Sequence, residues 1–274
     1  MSDNQIEIAE NLKLKLVPQS MLFFDVEITE HCNLNCKGCD SLAPLAKEEY
    51  LDLEECEKDL SRLSLISGGI VDHINILGGE PLLHPQVDQF LSLTREYFPY
   101  GKIVLVTNGI LLKAMEQKFW KACKRNDIVL GVTRYPIQLD YDWIKGKTEK
   151  EGIVFQWFGD DRKEHWVHTK MDLSGQMNEL ESFLYCWNAN NCTVIEHGRL
   201  YPCPRAAKIH HFNNAFKTNI PLTEKDYLVI EEIKSLDEIM FFLARPIPFC
   251  RFCCPKSHYE EPWGISGKEM AEWM

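Results

Sequence analysis

The chain has 274 residues, 45% of them apolar, and a formal net charge of −11. A surface with this excess of acid repels phosphate, which argues against a nucleic-acid partner or an anionic membrane partner. No stretch reaches the roughly 18 apolar residues that a membrane-spanning helix needs. The first twenty residues lack the basic and apolar runs of a signal peptide. We therefore predict a cytoplasmic protein with no membrane or nucleic-acid partner.

Eleven cysteines are the most informative feature of the composition. A cytosolic chain keeps its thiols reduced, so clustered cysteines indicate metal ligands rather than disulfides. Cys56 and Cys123 lie alone within helical patterns, and we interpret them as small buried apolar residues. The other nine fall into two groups, which predicts a metalloprotein.

Strands and helices alternate from residue 21 onwards. Runs rich in β-branched and aromatic residues predict strands at 21–29, 71–77, 102–107, 127–133 and 152–158. Apolar residues at helical spacing predict helices at 51–66, 87–98, 111–124 and 139–149. Repeated βα units with short connections imply a parallel sheet that is closed or partly closed like a barrel. Functional groups are then expected at the C-terminal ends of the strands.

The βα rhythm ends near residue 160. The stretch 160–185 is polar and lacks a period, which predicts a long functional loop containing the domain boundary. Two short strands are predicted within 192–203, and a helix is predicted to begin at Ser235. The expected fold is α/β: an N-terminal extension over 1–20, a partial (β/α) barrel of about six strands over 21–170, and a small α/β domain over 171–274.

Three cysteines follow the first predicted strand directly, with the spacing C-x3-C-x2-C at Cys32, Cys36 and Cys39. This spacing lets neighbouring thiolates converge on one cluster from a tightly curled loop. Three ligands cover only part of a four-iron cluster, so one iron stays open to an external ligand. The alternative is structural zinc with a fourth ligand such as His31, although such sites normally use paired C-x2-C knuckles.

Residues 21–160 resemble the radical S-adenosylmethionine superfamily. The resemblance is carried by the cysteine spacing and by the LGGEP turn after the second strand. In that family the turn binds the methionine amino group of S-adenosylmethionine, which implies contacts from Gly78, Gly79 and Glu80. Independently, two glycines let a backbone approach a ligand closely, and a carboxylate can complement an ammonium group.

Further candidates lie after the third and fourth strands. Thr107 and Asn108 are expected to contact the nucleoside of the cofactor. Arg134 is a candidate for holding a carboxylate of cofactor or substrate, and Tyr135 for stacking or donating a hydrogen bond. The chain departs from the family at Gly38, where an aromatic residue usually precedes the third cysteine.

Six cysteines follow the barrel region: Cys186, Cys192, Cys203, Cys250, Cys253 and Cys254. Cys186 and Cys203 flank the predicted hairpin, and Cys250 and Cys253 form a C-x2-C pair. This arrangement resembles the half-size auxiliary-cluster domain called Twitch, which implies that these four bind a second 4Fe–4S cluster. Structural zinc accepts the same four ligands. Cys192 or Cys254 is an alternative ligand, or a free thiol that donates a hydrogen atom.

The resemblance also implies a reaction. An electron from a flavodoxin-type or ferredoxin-type donor would cleave S-adenosylmethionine, and the resulting 5′-deoxyadenosyl radical would take hydrogen from substrate. The comparison favours a small hydroxylated substrate, such as a sugar or cyclitol, which is oxidised with the second cluster as electron acceptor. The alternatives are a peptide-modifying or protein-modifying radical enzyme and a non-enzymatic iron–sulfur electron-transfer protein. The LGGEP turn argues against the last of these.

Overall fold

The computed structural model of the chain describes residues 16–159 and 165–274, without the side chains of 166–168 and 255–259. Most of the predicted N-terminal extension, residues 1–15, lies outside the described residues. None of the described helices is both long and apolar enough to cross a membrane.

Five parallel strands form the first part of the main sheet, in the spatial order β5-β4-β3-β2-β1. Their bounds are β1 Phe24–Glu27, β2 His73–Leu77, β3 Lys102–Thr107, β4 Ile128–Val132 and β5 Phe155–Trp157. One helix follows each of the first four strands: α1 Leu53–Ser67, α2 Val87–Tyr97, α3 Gln117–Arg125 and α4 Tyr141–Glu151. Each predicted strand is present, because runs of Ile, Val and Leu suit a parallel sheet that is covered by helices.

The prediction for the third helix was too long. The segment predicted as one helix over 111–124 holds a short 3-10 turn, Leu112–Ala114, and α3 begins only at Gln117. Met115 and Glu116 have extended backbone conformations between the two elements. The helical pattern in the sequence therefore spans a break in the backbone.

The sheet continues beyond β1 through residues that were assigned to the C-terminal domain. Strand β7, Val194–Glu196, pairs in parallel with β1, which makes six parallel strands. Strands β8, Arg199–Tyr201, and β9, Leu228–Val229, follow in antiparallel pairing. The sheet is open, with β5 and β9 at its edges. The predicted partial barrel is therefore confirmed, and the predicted hairpin extends the same sheet.

Residues 165–185 hold regular structure, contrary to the loop predicted over 160–185, and residues 160–164 of that prediction lie outside the described residues. Strand β6, His165–Met171, pairs antiparallel with β10, Cys253–Pro262, and helix α5 spans Glu179–Tyr185. The partner of β6 lies more than eighty residues away in the chain, so no local pattern announces this pairing. The helix does have a local signal, because the Asn178 side chain accepts a hydrogen bond from the Glu181 amide as an N-cap.

The described residues contain two further α-helices. Helix α6, Pro204–Phe216, begins directly after Cys203, and α7 spans Leu236–Leu243. One apolar core joins the sheet to α1–α4 and α7, and a second core packs α6 against Trp273 near the C-terminus. The second core places the end of the chain beside the loop that follows β1.

Candidate active site

The first cysteine set, Cys32, Cys36 and Cys39, lies on the loop after β1, which we call the cysteine loop (residues 29–42). Asn35 and Gly38 adopt positive φ angles of 51° and 62°, so the chain curls between the cysteines. Glycine adopts this conformation without strain, whereas most other residues do not. The positive φ angle of Gly38 therefore explains why a glycine precedes the third cysteine, since an aromatic residue at this position would be strained.

The cysteines of this set lie close together, with Cys36 buried and Cys32 and Cys39 half-buried. Burial raises the pKa of Cys32 to about 11 and raises the pKa of Cys39 further, and the charges of neighbouring cysteines of the set contribute to both shifts. The sulfurs therefore lie within electrostatic reach of one another. Bare thiolates are unfavourable here, and a group with several positive charges between them would reverse that penalty.

The glycine turn after β2 packs against the cysteine loop. A Cβ atom on Gly78 would lie 2.4 Å from the Thr29 carbonyl oxygen, and one on Gly79 would lie 2.1 Å from that of His31. The amides of Gly79 and Glu80 donate to the same two carbonyl groups, at 2.8 and 3.0 Å. The two glycines are thus required by contact between two backbones. This contact fixes the turn beside the first cysteine set.

We expect Gly79→Ala to lower the free energy of unfolding by about 1–3 kcal/mol, as overpacking does, and to reduce the iron retained after reconstitution. The added methyl group has no room, so the cysteine loop has to move. Thermal unfolding and iron analysis measure the two effects. Gly146→Ala in α4 is the matched control, because its new Cβ meets nothing within 4 Å. Equal iron retention in both variants would contradict the prediction.

Glu80 joins the ends of β2 and β3. Its side chain is 1% exposed. It accepts hydrogen bonds from the Thr107 hydroxyl at 2.6 Å, the Asn108 amide at 2.9 Å and the Leu82 amide at 3.1 Å. The structure thus brings three predicted site residues together, with Glu80 positioning the other two. Direct contact between this carboxylate and an ammonium group stays a prediction.

Asn108 connects this cluster of residues to the cysteine loop. Its side-chain amide donates to the Asn33 side chain at 2.8 Å and lies 3.9 Å from the Cys32 sulfur. Asn108 is 5% exposed, whereas Asn33 is exposed, so the contact between them is partly open to water. Asn33 was not predicted from the sequence, although it lies inside the cysteine motif.

The two candidates after β4 point to different neighbours. The Arg134 guanidinium lies 5.4 Å from the centre of the Tyr141 ring and 5.3 Å from that of Trp157, in positions suited to cation–π contact. The Tyr135 hydroxyl hydrogen-bonds Cys36, and burial raises the pKa of Tyr135 well above its usual value. The role of Arg134 in holding a carboxylate stays a prediction.

A segment near the C-terminus, which we call the C-terminal strap (residues 261–266), lies across the cysteine loop. The Trp263 indole nitrogen donates to the Cys36 sulfur at 3.2 Å. The Lys37 amide donates to the Gly264 carbonyl at 2.8 Å, and the Ser266 amide donates to that of Asn35 at 2.8 Å. Sequence reasoning missed the strap, because the only local signal was a tryptophan beyond the last cysteines.

The second cysteine set is Cys186, Cys203, Cys250 and Cys253. Each member lies where an element ends or begins: Cys186 at the end of α5, Cys203 before α6, Cys250 within the turn Pro248–Phe252, and Cys253 at the start of β10. Burial, followed by the charges of the other three members, raises the pKa of Cys203 well above its usual value. The structure therefore gathers the four predicted residues.

Cys192 and Cys254, the other two cysteines of the C-terminal region, have different surroundings. Cys254 follows Cys253 on β10, so its side chain points to the opposite face of the strand. Burial raises the pKa of the Cys192 thiol, and the charges of Asp25 and Asp40 contribute more to this shift than that of Cys186. Neither placement excludes Cys192 or Cys254 as a ligand, so the predicted four-residue set stays a prediction.

An ion pair between a half-buried aspartate and a buried arginine connects the segments that carry the two cysteine sets. Asp40 follows Cys39 directly, and its carboxylate accepts from Arg205 Nε at 2.8 Å and Nη2 at 2.5 Å. Arg205 is 3% exposed and lies two residues after Cys203. The pair therefore joins the loop of the first set to the first turn of the helix that follows a member of the second.

Two groups of carboxylate and histidine donors are close enough together to hold a single ion. Among the described residues, Glu30, His210 and His211 have donor atoms within 4.8 Å of one another, and so do Glu30, Glu196 and His197. Glu30 already pairs with the buried Lys208 ammonium at 2.6 Å. No cysteine belongs to either group.

Residues 26–141 match the family described as the radical SAM superfamily. GTP 3',8-cyclase of Helicobacter pylori (strain HPAG1) is 32% identical over 118 residues, which are 43% of this chain and 34% of that protein. The same enzyme of Sulfurovum sp. (strain NBC37-1) is 33% identical over 121 residues, with the same coverage of 43% and 34%. The chain therefore aligns with about a third of the length of these relatives.

The likeness to one solved structure extends over nearly the whole chain. A crystal structure of BtrN in complex with AdoMet and 2-DOIA has a TM-score of 0.53 and 18% sequence identity to this chain. The superposition covers 94% of this chain and 99% of that one. At this identity the likeness establishes a shared fold.

Proposed function

Since residues 26–141 form a radical SAM domain, we propose that the chain is an enzyme that removes a hydrogen atom from a small hydroxylated molecule and oxidises it. The contact between the glycine turn and the cysteine loop carries this proposal. It gives the chain three thiols for a cluster beside a turn that is suited to the methionine end of the cofactor. A bound 4Fe–4S cluster and S-adenosylmethionine supply a 5′-deoxyadenosyl radical.

The protein's own groups hold and orient the two cofactors. Cys32, Cys36 and Cys39 would bind the cluster. The amides of Gly79 and Glu80 donate to the cysteine loop. An ammonium group is itself a donor, so the carbonyl oxygens of Gly78 and Gly79 would accept from it. Thr107 and Asn108 are buried beside Glu80, on the side where we expect the nucleoside. These residues position the reacting groups and exclude water.

The second cysteine set supports an oxidation. Cys186, Cys203, Cys250 and Cys253 would hold a second cluster, which would supply an electron acceptor. The 5′-deoxyadenosyl radical would take a hydrogen atom from a carbon that bears a hydroxyl, which forms 5′-deoxyadenosine and leaves a carbon radical. Release of the hydroxyl proton to water and of one electron to the second cluster would then give the ketone. A flavodoxin-type or ferredoxin-type protein is the proposed electron donor.

The choice of substrate follows from the whole-chain fold. The architecture shared with BtrN, whose structure contains 2-DOIA, spans 94% of the chain and supports a small-molecule substrate. The likeness to GTP 3',8-cyclases spans only 43% of the chain, so the substrate of those enzymes carries less weight. The net charge of −11 also disfavours a triphosphate, unless a local group of basic residues binds it.

We expect deuterium at the hydroxyl-bearing carbon of a sugar or cyclitol to appear in 5′-deoxyadenosine, together with a ketone product. The reconstituted protein is incubated anaerobically with dithionite, S-adenosylmethionine and labelled candidates, and GTP is offered in parallel. Mass spectrometry measures the label and the product. Cys36→Ala protein is the control for unspecific cleavage.

Two results would contradict the oxidation. Solvent hydrogen returning to the same carbon means epimerisation, with Cys192 or Cys254 as the candidate hydrogen donor. Label transfer or cyclisation with GTP alone means that the substrate is a nucleotide.

A further inference from the structure

The geometry points to Tyr135 and Trp263 as positioning residues that form a two-donor clamp on the Cys36 sulfur and raise the reduction potential of the first cluster. We call this pair the Cys36 clamp. The inference rests on the proposed function in one respect, because it takes the first cysteine set to hold an iron–sulfur cluster.

Both donors of the clamp come from far along the chain. The Trp263 indole N–H lies 3.2 Å from the Cys36 sulfur, across 227 residues of sequence. The Tyr135 hydroxyl also hydrogen-bonds this sulfur. The centres of the two rings lie 5.8 Å apart, so one aromatic pair covers the sulfur.

The other two sulfurs of the set are bonded differently. Cys32 accepts from the backbone amide of Leu34 at 3.4 Å, with the Asn108 side-chain amide farther away at 3.9 Å, and Cys39 accepts from the backbone of Ala43. The two backbone contacts belong to the curl of the loop itself. Cys36 instead receives two side-chain donors from outside the loop, so this part of its environment can be changed without altering the loop's own hydrogen bonds.

Backbone pairing holds Trp263 in place. Cys36 and Ile265 form an antiparallel bridge, flanked by hydrogen bonds from the Lys37 amide to Gly264 and from the Ser266 amide to Asn35. An ion pair between Lys37 and Glu261, at 2.6 Å, adds a further contact. The indole is therefore positioned by a fixed strand and not by side-chain packing alone.

The expected direction of the effect follows from charge. Reduction adds negative charge to a cluster and its thiolates, and hydrogen bonds to sulfur stabilise that charge. Cys36 is 6% exposed, so these bonds act in an environment of low polarity where they are stronger than in water. Removing a donor while keeping its ring should therefore make the cluster harder to reduce.

We expect Trp263→Phe and Tyr135→Phe each to lower the equilibrium constant for reduction of the first cluster. The double variant should lower it about tenfold, which corresponds to about 59 mV for one electron. Each change deletes one donor and keeps an aromatic ring. The measurement is a redox titration of the full reconstituted chain, followed by electron paramagnetic resonance, without S-adenosylmethionine or substrate. The relevant signal is the one that is lost when Cys32, Cys36 and Cys39 are all replaced by alanine.

Trp143→Phe is the matched control, because the Trp143 ring packs beside that of Trp120, with ring centres 6.4 Å apart, in the helical layer around the sheet. Iron content and thermal unfolding establish that each variant folds. If Trp263→Phe does not fold, Tyr135→Phe still tests the other hydrogen bond to the Cys36 sulfur. An unchanged potential in the double variant overturns the clamp, and so does a first set that binds no iron. Shifted potentials without cleavage of S-adenosylmethionine keep the clamp and reject the proposed function. Normal cleavage of S-adenosylmethionine with unshifted potentials rejects the clamp and keeps the proposed function.

Discussion

Replacing Cys36 by alanine is expected to reduce 5′-deoxyadenosine formation to the level of a protein-free mixture, and Cys32→Ala and Cys39→Ala should do the same. Three thiolates are the minimum that holds a four-iron cluster while leaving one iron for the cofactor, so the loss of one removes the site. The assay is anaerobic incubation with dithionite and S-adenosylmethionine, followed by chromatography of the nucleosides.

The control for this first prediction is Cys123→Ala. Cys123 is 1% exposed within α3 and belongs to the apolar core, so its replacement should leave cleavage unchanged. Undiminished cleavage in any variant of the first set would remove the basis of the proposed function. Circular dichroism of the variants shows whether the fold is retained, since the main sheet does not depend on these side chains.

Local sequence patterns were sufficient for strands β1–β5. These strands are buried runs between helices, and such runs carry their own signal. The spacing of Cys32, Cys36 and Cys39 is likewise a local feature of one short loop. The second cysteine set comes from separated segments, was identified through a family resemblance, and stays a prediction. Gly78 and Gly79 were also identified, but the structure adds a different reason for them, namely their close contact with the cysteine loop.

Contacts between segments that lie far apart in the chain could not be predicted from local sequence patterns. Strand β6 is defined by pairing with β10, and the C-terminal strap is defined by pairing with the cysteine loop. Helix α6 carries Arg205 and Lys208, which a polar pattern assigns to solvent, yet both are buried against carboxylates of other elements. Each of these features depends on a partner that only the folded chain brings near.

The same distant contacts connect the two cysteine sets. Strand β10 begins at Cys253 of the second set, and Trp263 of the C-terminal strap follows its last residue, Pro262. The Asp40–Arg205 ion pair forms a second link, from the cysteine loop to α6. A structural change at the second cysteine set can therefore reach the first set through two connections, the strand and the ion pair.

The second large effect is expected from the double variant Cys250→Ala, Cys253→Ala, which should lower bound iron from about eight to about four per chain, as one of two four-iron clusters is lost. Cleavage of S-adenosylmethionine should continue, because the first cysteine set and the glycine turn are intact. The ketone product should disappear, because the substrate radical would lose its electron acceptor. Iron and sulfide analysis and product analysis measure these effects on the same sample.

The neighbouring change Cys254→Ala is the matched control for the second prediction, because Cys254 lies on the same strand with its side chain on the opposite face. It should retain about eight iron atoms if the four-residue set is correct. Stoichiometric zinc in the native protein would instead make the second set structural. Loss of all iron in the double variant would mean that the first cluster requires the second, a dependence that the strand from Cys253 to Trp263 would explain. Retention of about eight iron atoms in the double variant would assign the second cluster's ligands elsewhere, with Cys192 as the first candidate.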